Sequence, residues 1–438
     1  MPPPKRVVLL VIDTLRRDHV GAYGYEKNTT PHLDSLAKEG VLFKDAYSNC
    51  SWTQPSMASL FTGAYPLVHK VTEPPDSEFV AAAVLPPGVT TMAEFLKAEG
   101  MTTHAVSSQP WCNDLSGFDQ GFDGFEKVST ILDTREAEKV MDQSLEWLEK
   151  QGPDEDFFLY IHIMGPHFPY IPPPEWQGKF TGPRLPEIRS MLEDKNYVDQ
   201  SRVLHKKRHR FASDDGLLAE LEGLYDEEVA FSDHQLARLM ARLDKQGMSE
   251  GTMVIVLSDH GEEFVEHGRF FHGHSLYREL LEVPLVIWYP PLGKGVEVDD
   301  MVSLVDVFPT LIELFDGKKP DHCQGKSLAP LLWKDGGHGP ILAELVGHGL
   351  GKLTTPDYSF IYQGEIRDKS EQTMLFDRKA DPHEEKDISD KKPELNNEML
   401  SRFLEMESIN MDKAVKPVKS RKLDDEQQKR LRALGYLH

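Results

Sequence analysis

An α/β fold, with a mainly parallel sheet flanked by helices and a small C-terminal α+β subdomain, is the class this sequence predicts, and two observations carry the prediction. Apolar runs of strand length alternate with helix-like segments through most of the chain, the pattern of βα units packed into one sheet. Two of these runs also end in metal-ligand chemistry: residues 7–12 stop at Asp13, and residues 253–257 stop at Ser258-Asp259-His260-Gly261-Glu262. In an open α/β sheet, ligands bind outside the carboxyl ends of the strands. Two buried strands that deliver Asp13, Asp259 and His260 to that edge therefore predict a divalent cation site.

The run 7–12 is the first expected strand. The segment from Cys50 to Gly63 follows, and its Thr53 precedes Pro55, a residue suited to a first helical turn. Its hydroxyl is expected at a helix N-terminus, where backbone amides favour anions, as a nucleophile or as a simple helix cap. Segments 90–99, 102–107, 137–150, 157–163, 217–246, 253–257 and 285–289 continue the alternation. Pro86-Pro87-Gly88, Pro172-Pro173-Pro174 and Pro290-Pro291 mark joints between elements. Residues 176–214 break the pattern, with the basic stretch Leu204-His-Lys-Lys-Arg-His-Arg210 reading either as a lid that attracts an anionic substrate or as a solvated insertion. Beyond about residue 340 the chain is more polar, with short strand-like pieces at 341–345 and 358–362. The expected division is a catalytic domain at 1–340 and a small antiparallel-sheet subdomain with a C-terminal tail at 341–438.

Composition narrows the function. With 438 residues, 39% of them hydrophobic, the chain can bury a large core. A formal charge of −23 argues against general binding of nucleic acid or anionic membrane. The opening Met-Pro-Pro-Pro-Lys-Arg leads into an apolar run too short for a secretory signal, and no stretch is long enough to span a bilayer. Cys50, Cys112 and Cys323 are few, odd in number and widely spaced, which predicts reduced thiols and a cytoplasmic location.

A carboxylate directly after a buried run is costly unless paired or metal-bound, so Asp13 reads as a ligand before it reads as a helix cap. Adjacent Asp259 and His260 offer mixed oxygen and nitrogen ligation suited to Mn, Zn or Ca. His272 and His274 alternate on a segment expected to be extended, which would point both rings at one anion or metal. His167, in Pro-His-Phe-Pro-Tyr170, is a substrate-oxygen donor or a structural turn residue. Glu262, Glu263 and His267 are expected to support the ligand pair. Tyr225-Asp-Glu-Glu228 and Asp233 fall on a predicted helix as a structural network, and His69, His104 and His162 read as structural.

Motifs in order then resemble a known family. They are Asp13-Thr-Leu-Arg-Arg-Asp18 with Tyr23-Gly-Tyr25, Thr30-Pro-His-Leu-Asp34, the Thr53 segment, Pro166-His167-Phe-Pro-Tyr170 and Ser258-Asp-His-Gly-Glu262. His272-Gly-His-Ser-Leu-Tyr277, Leu304-Val-Asp-Val-Phe-Pro-Thr310, Leu375-Phe-Asp377 and the ending Leu431-Arg-Ala-Leu-Gly-Tyr436 complete the series. Nearly end to end, the chain resembles the sulfatase family of the alkaline phosphatase superfamily, which implies an alkaline-phosphatase-like fold. It departs from the formylglycine pattern: Thr53, Pro55 and Met57 stand where Cys or Ser, Pro and Arg are expected, and no Lys-x-His occurs at Ser107-Ser108-Gln109. Thr14 replaces the second Asp of the usual pair, and His274 stands about where a sulfate-binding Lys is expected.

These departures are similar to superfamily members that use an unmodified Thr. By that resemblance Asp13, Thr53, Asp259 and His260 would hold one divalent ion, with His272, His274, His167 and Asp233 the candidates for a second. The expected activity is metal-dependent hydrolysis of a small anionic phosphate or sulfate ester, with phosphodiesters or phosphonate esters preferred. Thr53 would be the nucleophile, and His272, His274 and His167 would bind oxygens and protonate the leaving alcohol. A phosphotransferase using the same covalent intermediate and a non-catalytic anion-binding protein are the alternatives.

Overall fold

The structure is a computed structural model and describes residues 2–72, 81–128, 133–192, 197–332, 339–364, 372–419 and 421–422. The ending Leu431 to Tyr436 lies outside the described residues.

Among the described residues, nine strands form the main sheet. At its centre β1 (Arg6–Ile12), buried throughout, pairs in parallel with Phe157–Ile163 on one side and Thr252–Leu257 on the other. Thr102–Ser107 and Gly124–Lys127 extend the parallel block. On the opposite flank Leu285–Trp288 runs antiparallel between Thr252–Leu257 and β2 (Val41–Tyr47), and Val296–Ser303 pairs in parallel with β2. The sheet is thus mainly parallel, flanked by helices, as the alternation predicted.

The pleat explains why β1 reads as a continuous apolar run. Val8, Leu10 and Ile12 enter one core, while Val7, Leu9 and Val11 enter the other. Helices Glu136–Glu149 and Asp215–Lys245 cover the first face; Thr53–Thr62, Met92–Ala98 and Val307–Leu314 cover the second. Helix starts follow local chemistry. Thr91 and Glu94 form a reciprocal capping box before Met92–Ala98, and the Asp214 side chain accepts the Leu217 N–H ahead of Asp215–Lys245.

The register levels the carboxyl ends of the central strands. Ile12 lies opposite Ile163, Val11 opposite Leu257 and Ser107 opposite His162. Whatever follows each strand therefore emerges side by side at one edge.

The basic region does not form a plain solvated insertion. It contains the helices Leu185–Leu192 and Tyr197–Ala212, and in the second Leu204 and Phe211 are fully buried while Lys206, His209 and Arg210 stay exposed. Beyond the main sheet, Ile341–Leu345, Leu350–Thr354, Tyr358–Gln363 and Gln372–Asp377 form an antiparallel sheet against helix Pro393–Lys413. A Cβ on Gly351 would lie 2.2 Å from Phe403 Cζ, so the absence of a side chain there lets the helix seat. Asn49 joins the two sheets, donating from Nδ2 to Leu342 O at 2.8 Å and accepting at its own carbonyl from Glu344 N at 2.9 Å. Cys50, Cys112 and Cys323 are buried and form no disulfide. No helix among the described residues is long and apolar enough to cross a membrane.

Candidate active site

Asp13 follows β1 and is wholly buried, its N–H donating to Ile163 O at 3.0 Å. Its carboxylate accepts no backbone N–H among the described residues, so it is not a cap. Oδ2 instead accepts from Gln109 Nε2 at 2.6 Å and faces His162 Nε2 at 3.2 Å. Oδ1 is buried without a hydrogen-bond partner. Burial, reinforced by the charge of Asp259, pushes the Asp13 pKa well above the usual carboxylate range.

Asp259 and His260 follow Thr252–Leu257 and are equally buried. Asp259 Oδ1 accepts the Thr14 N–H at 3.3 Å, while its Oδ2 has no hydrogen-bond partner. His260 Nδ1 lies 2.8 Å from Gly261 O; a carbonyl only accepts, so Nδ1 carries a proton, and Nε2 is the nitrogen that can offer a lone pair. That nitrogen is 3.9 Å from Asp13 Oδ1 and 3.4 Å from Asp259 Oδ2, the two orphaned oxygens. Ligand atoms of all three residues lie within 4.8 Å of one another. Two partnerless carboxylate oxygens and an imidazole nitrogen, all buried, fit a divalent cation.

Thr53 is the first residue of its helix, not the cap. Trp52 holds the cap position with φ −154° and ψ 159°, and the Thr53 hydroxyl sits 3.2 Å from His260 Nε2 and 3.3 Å from Gln109 Nε2. Met57, one turn on, is buried in the second apolar core and brings no charge to the site. Thr14, at φ 56°, adopts a left-handed conformation uncommon for a β-branched residue. Tyr225 holds that turn from behind, donating to Thr14 O at 2.8 Å and accepting from Arg16 N at 2.8 Å.

The histidines separate into two groups. His272 Nδ1 is 2.8 Å from Glu262 Oε1, and its ring lies 4.4 Å from the His260 ring and 4.9 Å from the His167 ring. His167 Nδ1 meets Phe168 O at 2.6 Å, and burial lowers its pKa to about 3. His274 faces elsewhere: its Nε2 meets Glu263 Oε2 at 2.7 Å and its Nδ1 meets His272 O at 3.2 Å. The expected extended segment is broken at Gly273, whose φ of 76° turns the chain, so His272 and His274 do not point together.

Glu262 braces the site, also accepting from Tyr170 OH at 3.2 Å, while His267 stacks on Tyr277 and binds Glu279. Asp233 accepts the backbone N–H groups of His32 and Leu33 at 3.0 and 2.8 Å, capping the helix Pro31–Glu39, which removes it from any second metal set. Two contacting residues were missed. Gln109 carried no charge to attract notice, and His162 lies inside an apolar strand, where its Nδ1 meets Tyr160 OH at 2.6 Å. The available signal was position, since His162 pairs with Val11 near the end of its strand and Gln109 follows Ser107, which lies opposite His162.

This sheet, with such residues along one carboxyl edge, defines an alkaline-phosphatase-like α/β protein. The model of the family described as Sulfatase matches residues 5–317. Across that span the chain belongs to the sulfatase family. It is 28% identical to the ulvan-active sulfatase of Formosa agariphila over 76% of this chain and 65% of that protein. It is 26% identical to human arylsulfatase K over 89% of this chain and 80% of the relative. Among solved structures, the phosphonate monoester hydrolase of Agrobacterium radiobacter superposes with a TM-score of 0.75 at 19% identity, covering 93% of this chain and 96% of the other. A protein solved with its substrate D-glucosamine-2-N,6-O-disulfate superposes at 0.73, with 19% identity and 94% and 99% coverage. At such identities the structural matches show the fold alone.

Proposed function

We propose that the chain hydrolyses phosphate or sulfate esters with an unmodified Thr53 as nucleophile, Asp13, Asp259 and His260 holding a divalent cation beside it, and phosphodiesters or phosphonate esters preferred. The observation that carries this reading is the Thr53 hydroxyl, 3.2 Å from an imidazole lone pair that faces two partnerless carboxylate oxygens. Neutral Gln109 and buried Met57, where sulfatase-like cations are expected, support the phosphorus preference.

The bound cation would offset charge on the ester oxygens and make the Thr53 hydroxyl more acidic. Thr53 Oγ1 attacks phosphorus, and the bond to the alcohol oxygen breaks. His272, oriented by Glu262, takes the hydroxyl proton and returns it to the departing alcohol. His167, beside it, keeps its Nδ1 proton on Phe168 O, so its Nε2 would donate to a nonbridging oxygen only in the protonated form. Water then cleaves the threonyl ester, restoring the Thr53 hydroxyl and releasing the acid. Gln109 holds both Asp13 and the nucleophile in register, and His162 fixes Asp13 from its other side. His274, tied to Glu263, takes no part in the step.

After metal stripping, activity toward aryl phosphodiester, phosphonate, phosphomonoester and sulfate esters is expected to return with added Mn, Zn or Ca. It is expected to fall by about 1000-fold or more in Thr53→Ala. Equal turnover by wild type and Thr53→Ala would remove Thr53 from the mechanism. Diversion of product to an added alcohol would make the chain a transferase.

A further inference from the structure

The most basic stretch of a chain with net charge −23 packs beside the candidate site. Leu204 and Phe211 anchor helix Tyr197–Ala212, the Phe211 ring standing edge-on 5.3 Å from Phe270. This lays the His205 ring 5.3 Å from Phe271, the residue before His272. Arg208 follows one turn later on the same helix and donates from Nη1 to His205 O at 2.9 Å.

Arg269 approaches from the other side. It sits in the turn between Glu263–Phe264 and Phe270–Phe271, where its backbone N–H donates to Glu263 Oε1 at 2.7 Å; the other oxygen of Glu263 holds His274. Burial and then the charges of His274, Arg208 and Arg269 lower the His205 pKa. Neither arginine forms an ion pair among the described residues, although Asp and Glu outnumber Lys and Arg by 72 to 49. Arg269 is exposed and Arg208 half-buried, and guanidinium groups without carboxylate partners are available to an anion from outside.

We propose that Arg208 and Arg269 form a subsite for a second anionic group of the substrate, beyond the reacting ester, so that the preferred substrates are polyanionic esters. The proposal rests on the ester-hydrolase reading above. Sulfate, phosphate and carboxylate share the required chemistry, and helix Tyr197–Ala212 becomes the element that sets specificity.

The test compares kcat/KM for the ethyl and the sulfoethyl diesters of para-nitrophenyl phosphate in metal-loaded wild type and in the combined Arg208→Gln, Arg269→Gln variant. Wild type is expected to prefer the sulfoethyl ester, and added salt to shrink the preference. The variant should lose about fivefold of it per arginine, with the ethyl ester turned over as before. A preference that survives both substitutions overturns the subsite. Should wild type cleave neither ester, the hydrolase reading fails, and the subsite is judged by fluorescence titration with pyrenetetrasulfonate. Tighter binding by wild type than by the variant at low salt supports it, and equal binding overturns it.

Discussion

At the residue scale, the site is a set of buried groups that a cation would satisfy together. Asp13 and Asp259 face one another with one orphaned oxygen each, and burial holds Asp13 toward its protonated form. Removing one of the two charges should therefore help the protein when no metal is present. Asp13→Asn is expected to raise the melting temperature of metal-free protein at pH 8 by about 2–4 °C. It should also abolish the stabilisation that Mn or Zn gives wild type, about 2.7 kcal/mol at a hundredfold excess over Kd. Scanning calorimetry with and without metal checks both; a metal-induced shift that persists in Asp13→Asn contradicts the ligand assignment. Gln109→Ala, which leaves Asp13 Oδ2 and Thr53 Oγ1 without their shared donor, should lower kcat more than it raises KM. Asp13, Asp259 and His260 were legible in the sequence because charge directly after an apolar run is conspicuous. Gln109 and His162 were not, because an uncharged amide and a strand histidine look like ordinary structure until the register sets them beside Asp13.

At the scale of elements, strands and helices were legible wherever hydrophobic period decided them. The central strands and the helix Asp215–Lys245 fall close to the expected ranges. What escaped was turn geometry. Alternating His272 and His274 promised one shared face, and the positive φ of Gly273 undid it. The basic region was hard to place because its many charges masked the two buried positions, Leu204 and Phe211, that fasten it down. The C-terminal sheet depends on one aromatic in a similar way. Phe403 is fully buried among Leu342, Leu353, Phe360 and Tyr362 and fits over Gly351. Phe403→Ala is expected to cost about 3–5 kcal/mol, read as a lower urea midpoint. A change under about 1 kcal/mol would show that the helix is not seated by that contact.

At the scale of the whole molecule, buried carboxylates away from the metal cluster set a pH dependence. Burial pushes Glu344 and Glu407 up to about 7 and Glu228 up to about 8. A carboxyl whose folded pKa is raised contributes stability that is complete below its unfolded value of about 4.5 and is lost as pH rises through the folded value. Between about pH 4.5 and pH 8, the interval from the unfolded to the folded values, the metal-free protein should therefore lose stability. Glu407→Gln should flatten that slope in a melting series, whereas an unchanged slope would exclude Glu407 as a contributor. Two arginines without ion partners among the described residues lie on the elements next to His272 in an acidic chain, where a charged substrate would be drawn in. All of it turns on Thr53. The most direct measurement is tandem mass spectrometry of the Thr53 peptide from metal-loaded protein acid-quenched during turnover of an aryl phosphodiester. The account predicts an unmodified threonine before reaction and a phosphoryl or phosphoryl-ester adduct on Thr53 during it. Turnover with Thr53 unaltered in every quenched sample, or with the adduct on another residue, would contradict it.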